Sequence, residues 1–195
     1  MCQKSLSRAL PENQYGNDLD PSKVLTPHVT FFKFLGRERE GKPFFQKGFP
    51  SQKTYMSEIH GNTVGLRETL LAEMQTLYDL ELPRDLFVPA ELISVLAGYS
   101  ARINREIALY ITRDGEVVDI IIGQLDSVSL PDYRLRRNVK RLSGVRCIHT
   151  HPGGCGELSD VDISALRSLR FDAMCAIGVR DGHPREVSAG FLGEM

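Results

Sequence analysis

Two histidines one residue apart, His149 and His151, lie in the stretch CIHTHPGGCGELSDVD, residues 147–162. On a β-strand, side chains two apart leave the same side. Both imidazoles would then project together from the end of GVRCI and could grip one zinc ion (Zn2+). A catalytic zinc usually takes three protein ligands and keeps a fourth position open. A loop from Pro152 to Leu158 returns the chain to Ser159 and Asp162, and Gly153, Gly154 and Gly156 allow it a tight path. Asp162, in the first turn of the next helix, can supply the third ligand. Ser159 can donate a hydrogen bond to an oxyanion forming beside the metal. A second reading stays open. Ser159-x-x-Asp162 ahead of an apolar helical run resembles a capping box, although glutamate is the usual partner. Both roles hold together only if the two oxygens of Asp162 divide the work.

These residues need elements to hold them. GLRETLLAEMQTLYDL places Leu66, Leu70, Met74 and Leu77 on one helical face. A second helix starts near Pro89, with an apolar stripe of Leu92, Val95, Leu96, Tyr99 and Ile103. EIALYIT and EVVDIIIG are two β-rich runs around Arg113-Asp114-Gly115, and Asp-Gly between such runs signals a hairpin. SVSL extends the sheet in this reading. GVRCIHTH then reads as a strand, DISALRSLRF as a helix and AMCAIGV as a strand. A hairpin followed by a strand-helix-strand unit predicts an α/β (α+β) fold with a mixed sheet and flanking helices.

The chain divides unequally. Residues 1–55 hold five of the ten prolines, and nine Lys and Arg against five Asp and Glu. Their apolar residues come in short bursts such as VTFFKFL, too few to offset the entropy of ordering the segment. They are read as a disordered or weakly ordered extension, with docking through Phe31, Phe32 and Phe34 as the alternative. Residues 56–195 form the folded domain, and Met56 stands where its pattern begins. The whole chain has 195 residues and a net charge of −1, which gives no sign of bulk binding to nucleic acid or membrane. No apolar run approaches a membrane span, and the N-terminus lacks the apolar core of a signal peptide. A cytoplasmic location is expected. Cys2, Cys147, Cys155 and Cys175 show no CxxC spacing, so reduced thiols are expected too.

H-x-H-P-x6-S-x-x-D resembles the signature of JAMM (MPN+/JAB) metalloproteases and of RadC-like proteins that share their fold. The resemblance implies a JAMM/MPN-like (cytidine-deaminase-like) core, with His149, His151 and Asp162 as metal ligands and Ser159 as oxyanion donor. It also implies a glutamate on an earlier strand working with the metal-bound water. The matching position is Glu106, in INREIALYITRDGEVVDIIIG, which read alone is equally a solvated charge at a strand end.

A second resemblance runs from about Ile59 to Gly190. IHGNTVGL, PAELISVLAGYSARINREI, SLPDYRLRRNVKRLSGVRCIHTH and DISALRSLRFDAMCAIGV look like the N-terminal accessory region of HflX-type ribosome-associated GTPases. In that setting HxH often persists while the rest of the metal pattern decays. Here Pro152, Ser159 and Asp162 are all present, which favours a retained site. No G-x-x-x-x-G-K-[ST] phosphate loop occurs, so GTP hydrolysis is not encoded in this chain, which is expected to be a piece or a stand-alone relative of a longer protein.

Two functions follow as expectations. One is a zinc hydrolase acting on a peptide or isopeptide bond. The other is a non-catalytic module meeting the ribosome or a GTPase domain. Specific DNA binding is not expected. The basic run YRLRRNVKR, residues 133–141, could meet RNA but reads first as a solvated loop.

Overall fold

In the computed structural model, residues 58–83, 86–130 and 142–193 are described, together with the backbone of 29–34. The strands are β1 (Val29–Phe34), β2 (His60–Gly61), β3 (Ile107–Thr112), β4 (Val117–Ile122), β5 (Val145–His151), β6 (Ala173–Arg180) and β7 (His183–Leu192). The helices are α1 (Glu68–Gln75), α2 (Ala90–Ile103) and α3 (Asp160–Ser168). The strands form one sheet in the order β1-β7-β6-β5-β3-β4-β2. β5 runs parallel to β6 and β2 parallel to β4, while the other pairs are antiparallel. The expected α+β architecture, a mixed sheet with flanking helices, is the one observed.

Alternation along β3 splits the interior into two layers. Ile107, Leu109 and Ile111 face α1 and α2, where Met74, Leu92 and Leu96 are fully buried. Ala108 and Tyr110 face the other side, with Cys147, Leu166 and Phe171. α1 passes directly into a 3-10 turn at Thr76–Asp79, which brings Leu77 into the core. α2 begins after Pro89, whose missing N–H costs no hydrogen bond at a helix start. It ends at Asn104, which takes the left-handed conformation that suits a helix terminus.

Four readings need correction or completion. SVSL adds no strand: the chain turns there, and the Ser127 carbonyl accepts from the Gln124 amide at 2.7 Å. β7, the longest strand, lies beyond the last element read from the sequence. It follows Arg180-Asp181-Gly182, a repeat of the Arg113-Asp114-Gly115 signal. Within the segment read as a weakly ordered extension, Val29–Phe34 pairs antiparallel with β7 at the sheet edge. The rest of residues 1–57 and the basic run 133–141 lie outside the described residues. Cys147 and Cys175 are free and buried, as expected of reduced thiols, whereas Cys155 is disulfide-bonded. Among the described residues, no helix is long and apolar enough to cross a membrane.

Candidate metal centre

β5 is a central strand, and its C-terminal end carries the two histidines. His149 sits opposite Ala108 of β3, so its ring shares the α3 face of the sheet, and His151 follows on the same face. Their ring centroids are 4.7 Å apart. The loop after β5 then folds back over the end of the sheet. A Cβ on Gly156 would collide with the Glu186 carbonyl, and one on Gly178 of β6 would strike the loop backbone at Gly154. Glycine is required at both places because backbone lies on backbone there. The Ser188 hydroxyl donates to the Gly156 carbonyl at 2.5 Å and fixes the same contact.

α3 delivers the third group. Ser159 is its N-cap, and the capping box is present. Asp162 Oδ2 accepts from the Ser159 amide at 2.8 Å and from the Ser159 hydroxyl at 2.6 Å. The Ser159 Oγ in turn accepts from the Asp162 amide at 3.2 Å. Oδ1 lies 3.3 Å from His149 Nε2. The carboxylate therefore does divide its oxygens, one for the cap and one for the histidine. His151 Nε2 lies 3.9 Å from Oδ2. Ligand atoms of His149, His151 and Asp162 all fall within 4.8 Å of one another, so the three could hold a metal ion.

Two details bear on whether these residues suit a cation. His151 Nδ1 donates to the Cys155 carbonyl at 2.9 Å, which leaves Nε2 with its lone pair facing the cluster. His149 is almost fully buried, yet neither ring nitrogen makes a hydrogen bond of good geometry, despite the nearness of Asp162. A buried imidazole left in that state is costly, and a metal at Nε2 would satisfy it. The donor set fits.

Electrostatics bind the cluster to Glu106. Burial alone would lower the His149 pKa, but Asp162 and Cys147 together outweigh it and raise it to about 10. Burial would raise Asp162; His149 and the Ser159 contacts instead hold it well below the usual carboxylate range. His151 is lowered, by burial first and then by the charge of His149. Glu106 is 6% exposed and its backbone pairs with Gly123 and Gln124 of the β4 end. Extending the β3–β5 register places it opposite His151, on the histidine face. Burial pushes its carboxyl up to about 7; His149 opposes the shift, while Asp162 and Asp126 add to it.

The structure thus gathers His149, His151, Asp162 and Ser159 at one junction, with Glu106 within their electrostatic reach. The sequence reading missed Cys155, whose carbonyl orients His151, and Glu186, Ser188 and Gly178, which seat the loop. A backbone carbonyl leaves no trace in residue type, and the others become visible only once β7 is placed. No known family matches this chain, nor does any curated protein or solved structure.

Proposed function

We propose that this domain binds one zinc ion through His149, His151 and Asp162 and uses it to hydrolyse an amide bond, in the manner of a JAMM-like peptidase or isopeptidase. The observation that carries the reading is the divided Asp162 carboxylate beside two histidines on one strand end. Zinc held there would supply a Lewis acid that polarises a carbonyl and acidifies water. The protein's own residues do the rest. His151, pinned through Nδ1, presents Nε2. Asp162 is pinned by the α3 cap and presents Oδ1. Glu106, poised near 7, can take a proton at neutral pH and return it to the leaving amine. The Ser159 hydroxyl proton is held by Asp162, so Ser159 serves an oxyanion only by turning that proton away.

That commitment of Ser159 also favours a second reading, a metal-holding but non-catalytic module of an HflX-type GTPase. Elemental analysis and activity separate the two. Purified protein should hold about one zinc per chain, and His149→Ala or Asp162→Ala should each lose it. Glu106→Gln should keep zinc and fold while hydrolysis of a generic peptide or a ubiquitin-like fusion falls on the order of 10²-fold. Full zinc occupancy in Asp162→Ala would show that Ser159 and Asp162 are only a helix cap. A wild type that holds zinc yet cleaves nothing supports the module.

A further inference from the structure

Arg146 stands three residues before His149 on β5, but on the opposite face and near the opposite end of the strand. Its Nη1 donates to the Leu86 carbonyl at 2.9 Å. Its Nε and Nη2 are shielded from bulk water and make no hydrogen bond. Burial lowers its pKa, and among the described residues no carboxylate offsets the shift. The guanidinium carbon lies 6.0 Å from the Phe87 ring centroid, and Phe87 meets Phe191 with centroids 4.8 Å apart. These side chains line a cavity of about 340 Å³, together with Thr112, Arg113 and Asp172. Asp172 is the one acid among the described lining residues, and it is already engaged. Arg113 holds both its oxygens, and the Gly144 amide donates to Oδ1 at 2.9 Å.

The two silent donors of Arg146 lie on the same edge of the guanidinium plane. That edge is the parallel fork that matches the two oxygens of one carboxylate. A charged donor left unpaired and covered is held at a cost, and a turn of the guanidinium toward the cavity it lines would bring both donors to an anion and relieve that cost. The aromatic pair beside it offers a flat apolar wall. We propose that this cavity is a binding site for a small carboxylate carried on a flat apolar body, seated with its oxygens on Arg146 Nε and Nη2 and its body against Phe87 and Phe191. The site is separate from the histidine cluster and does not rest on the reading of that cluster as a zinc hydrolase.

Benzoate is the probe, titrated into the full chain at low ionic strength and followed by amide chemical shifts. Wild type should show saturable binding with a Kd on the order of 1 mM or tighter, where a single well-placed ion pair with modest apolar contact belongs. Arg146→Met keeps the length of the side chain and removes the fork, so binding should weaken at least about tenfold. Arg146→Lys keeps the charge without the fork and should also weaken it. Phe87→Leu tests the wall independently and should weaken binding even if Arg146→Met fails to fold. His149→Ala should bind benzoate as wild type does. The proposal is overturned by an absence of saturation in wild type, by unchanged affinity in folded Arg146→Met, or by loss of binding in His149→Ala, which would place the anion at the histidine cluster. Inorganic phosphate binding more tightly than benzoate would overturn the assignment to a carboxylate.

Discussion

β5 ends in two different kinds of incompleteness. At its C-terminal end, His149 and His151 crowd a carboxylate already anchored by a helix cap, and a tight glycine loop closes over them. At its N-terminal end, Arg146 holds two buried, unpartnered donors beside the Phe87 ring, and Asp172, which lines the same cavity, is held by another arginine. The first end gathers two imidazoles and a carboxylate, and suits a cation that takes the place of the His149 proton. The second has donors in excess and suits an anion. They also differ in how they are built. The histidine end depends on backbone packed against backbone, whereas the arginine end depends on side chains around a void. A small change should therefore damage the first far more than the second.

That contrast is tested most strongly at Gly178. A methyl group there must displace the Gly154 backbone, which cannot give as a flexible side chain can. Gly178→Ala should cost on the order of 3 kcal/mol by urea denaturation, as overpacking does in close-packed interiors, and should lower metal occupancy. Gly156→Ala should behave alike, through the Glu186 carbonyl. Arg146→Met should cost less than about 1 kcal/mol, since it gives up one hydrogen bond and relieves two unpaired donors. Equal costs at the two ends would erase the distinction.

Glu106 offers a pH test of the histidine end. Its carboxyl is raised from the usual 4.5 to about 7, so the folded protein keeps a proton that the unfolded chain has released. Stability of the metal-free protein should fall as pH rises from about 4.5 to about 7 and stay reduced above that. Glu106→Gln cannot ionise. It should be more stable than wild type at pH 8, by on the order of 2–3 kcal/mol relative to their difference at pH 4. Parallel stability profiles for the two proteins would mean that the carboxyl is solvated and takes no part in the cluster.

Much of the histidine end could be read from residue types because its logic is local. HxH on a strand, glycines in a return loop and Ser-x-x-Asp at a helix start all lie within sixteen consecutive residues, 147–162. The helices and the β3–β4 hairpin were legible for the same reason, through periodicity and the Asp-Gly turn. β7 was missed although Asp181-Gly182 repeats that turn, because its run HPREVSAGFL is half polar and contains proline. It becomes a strand by pairing with β6 over eight registers, a long-range fact. The arginine end was invisible for a related reason. Arg146, Phe87 and Phe191 are far apart in the chain, and nothing in their local patterns marks them. Only the order β7-β6-β5 brings the last strand near the first turn of β5.

The smallest expected effect concerns the acid beside Arg146. Asp172 bonds Arg113 through both oxygens and accepts from the Gly144 amide. Burial would raise its carboxyl, but the Arg113 hydrogen bonds, the amide and the Arg113 charge outweigh it and lower the pKa. The stability this confers is present above the usual value of 3.8 and is lost as pH falls through the lower, folded value. Arg113 is 68% exposed, so the pair is well screened. Asp172→Asn should cost only about 0.5–1 kcal/mol at pH 7, and the difference should close below about pH 4. The same variant sharpens the comparison between the ends. It removes the only negative charge that the described residues bring to the Arg146 cavity, so benzoate should bind more tightly than in wild type, while zinc occupancy at the histidine end stays unchanged. Weaker benzoate binding in Asp172→Asn would mean that the carboxylate is held by the Arg113–Asp172 pair as a unit, and that Arg146 is not its principal partner.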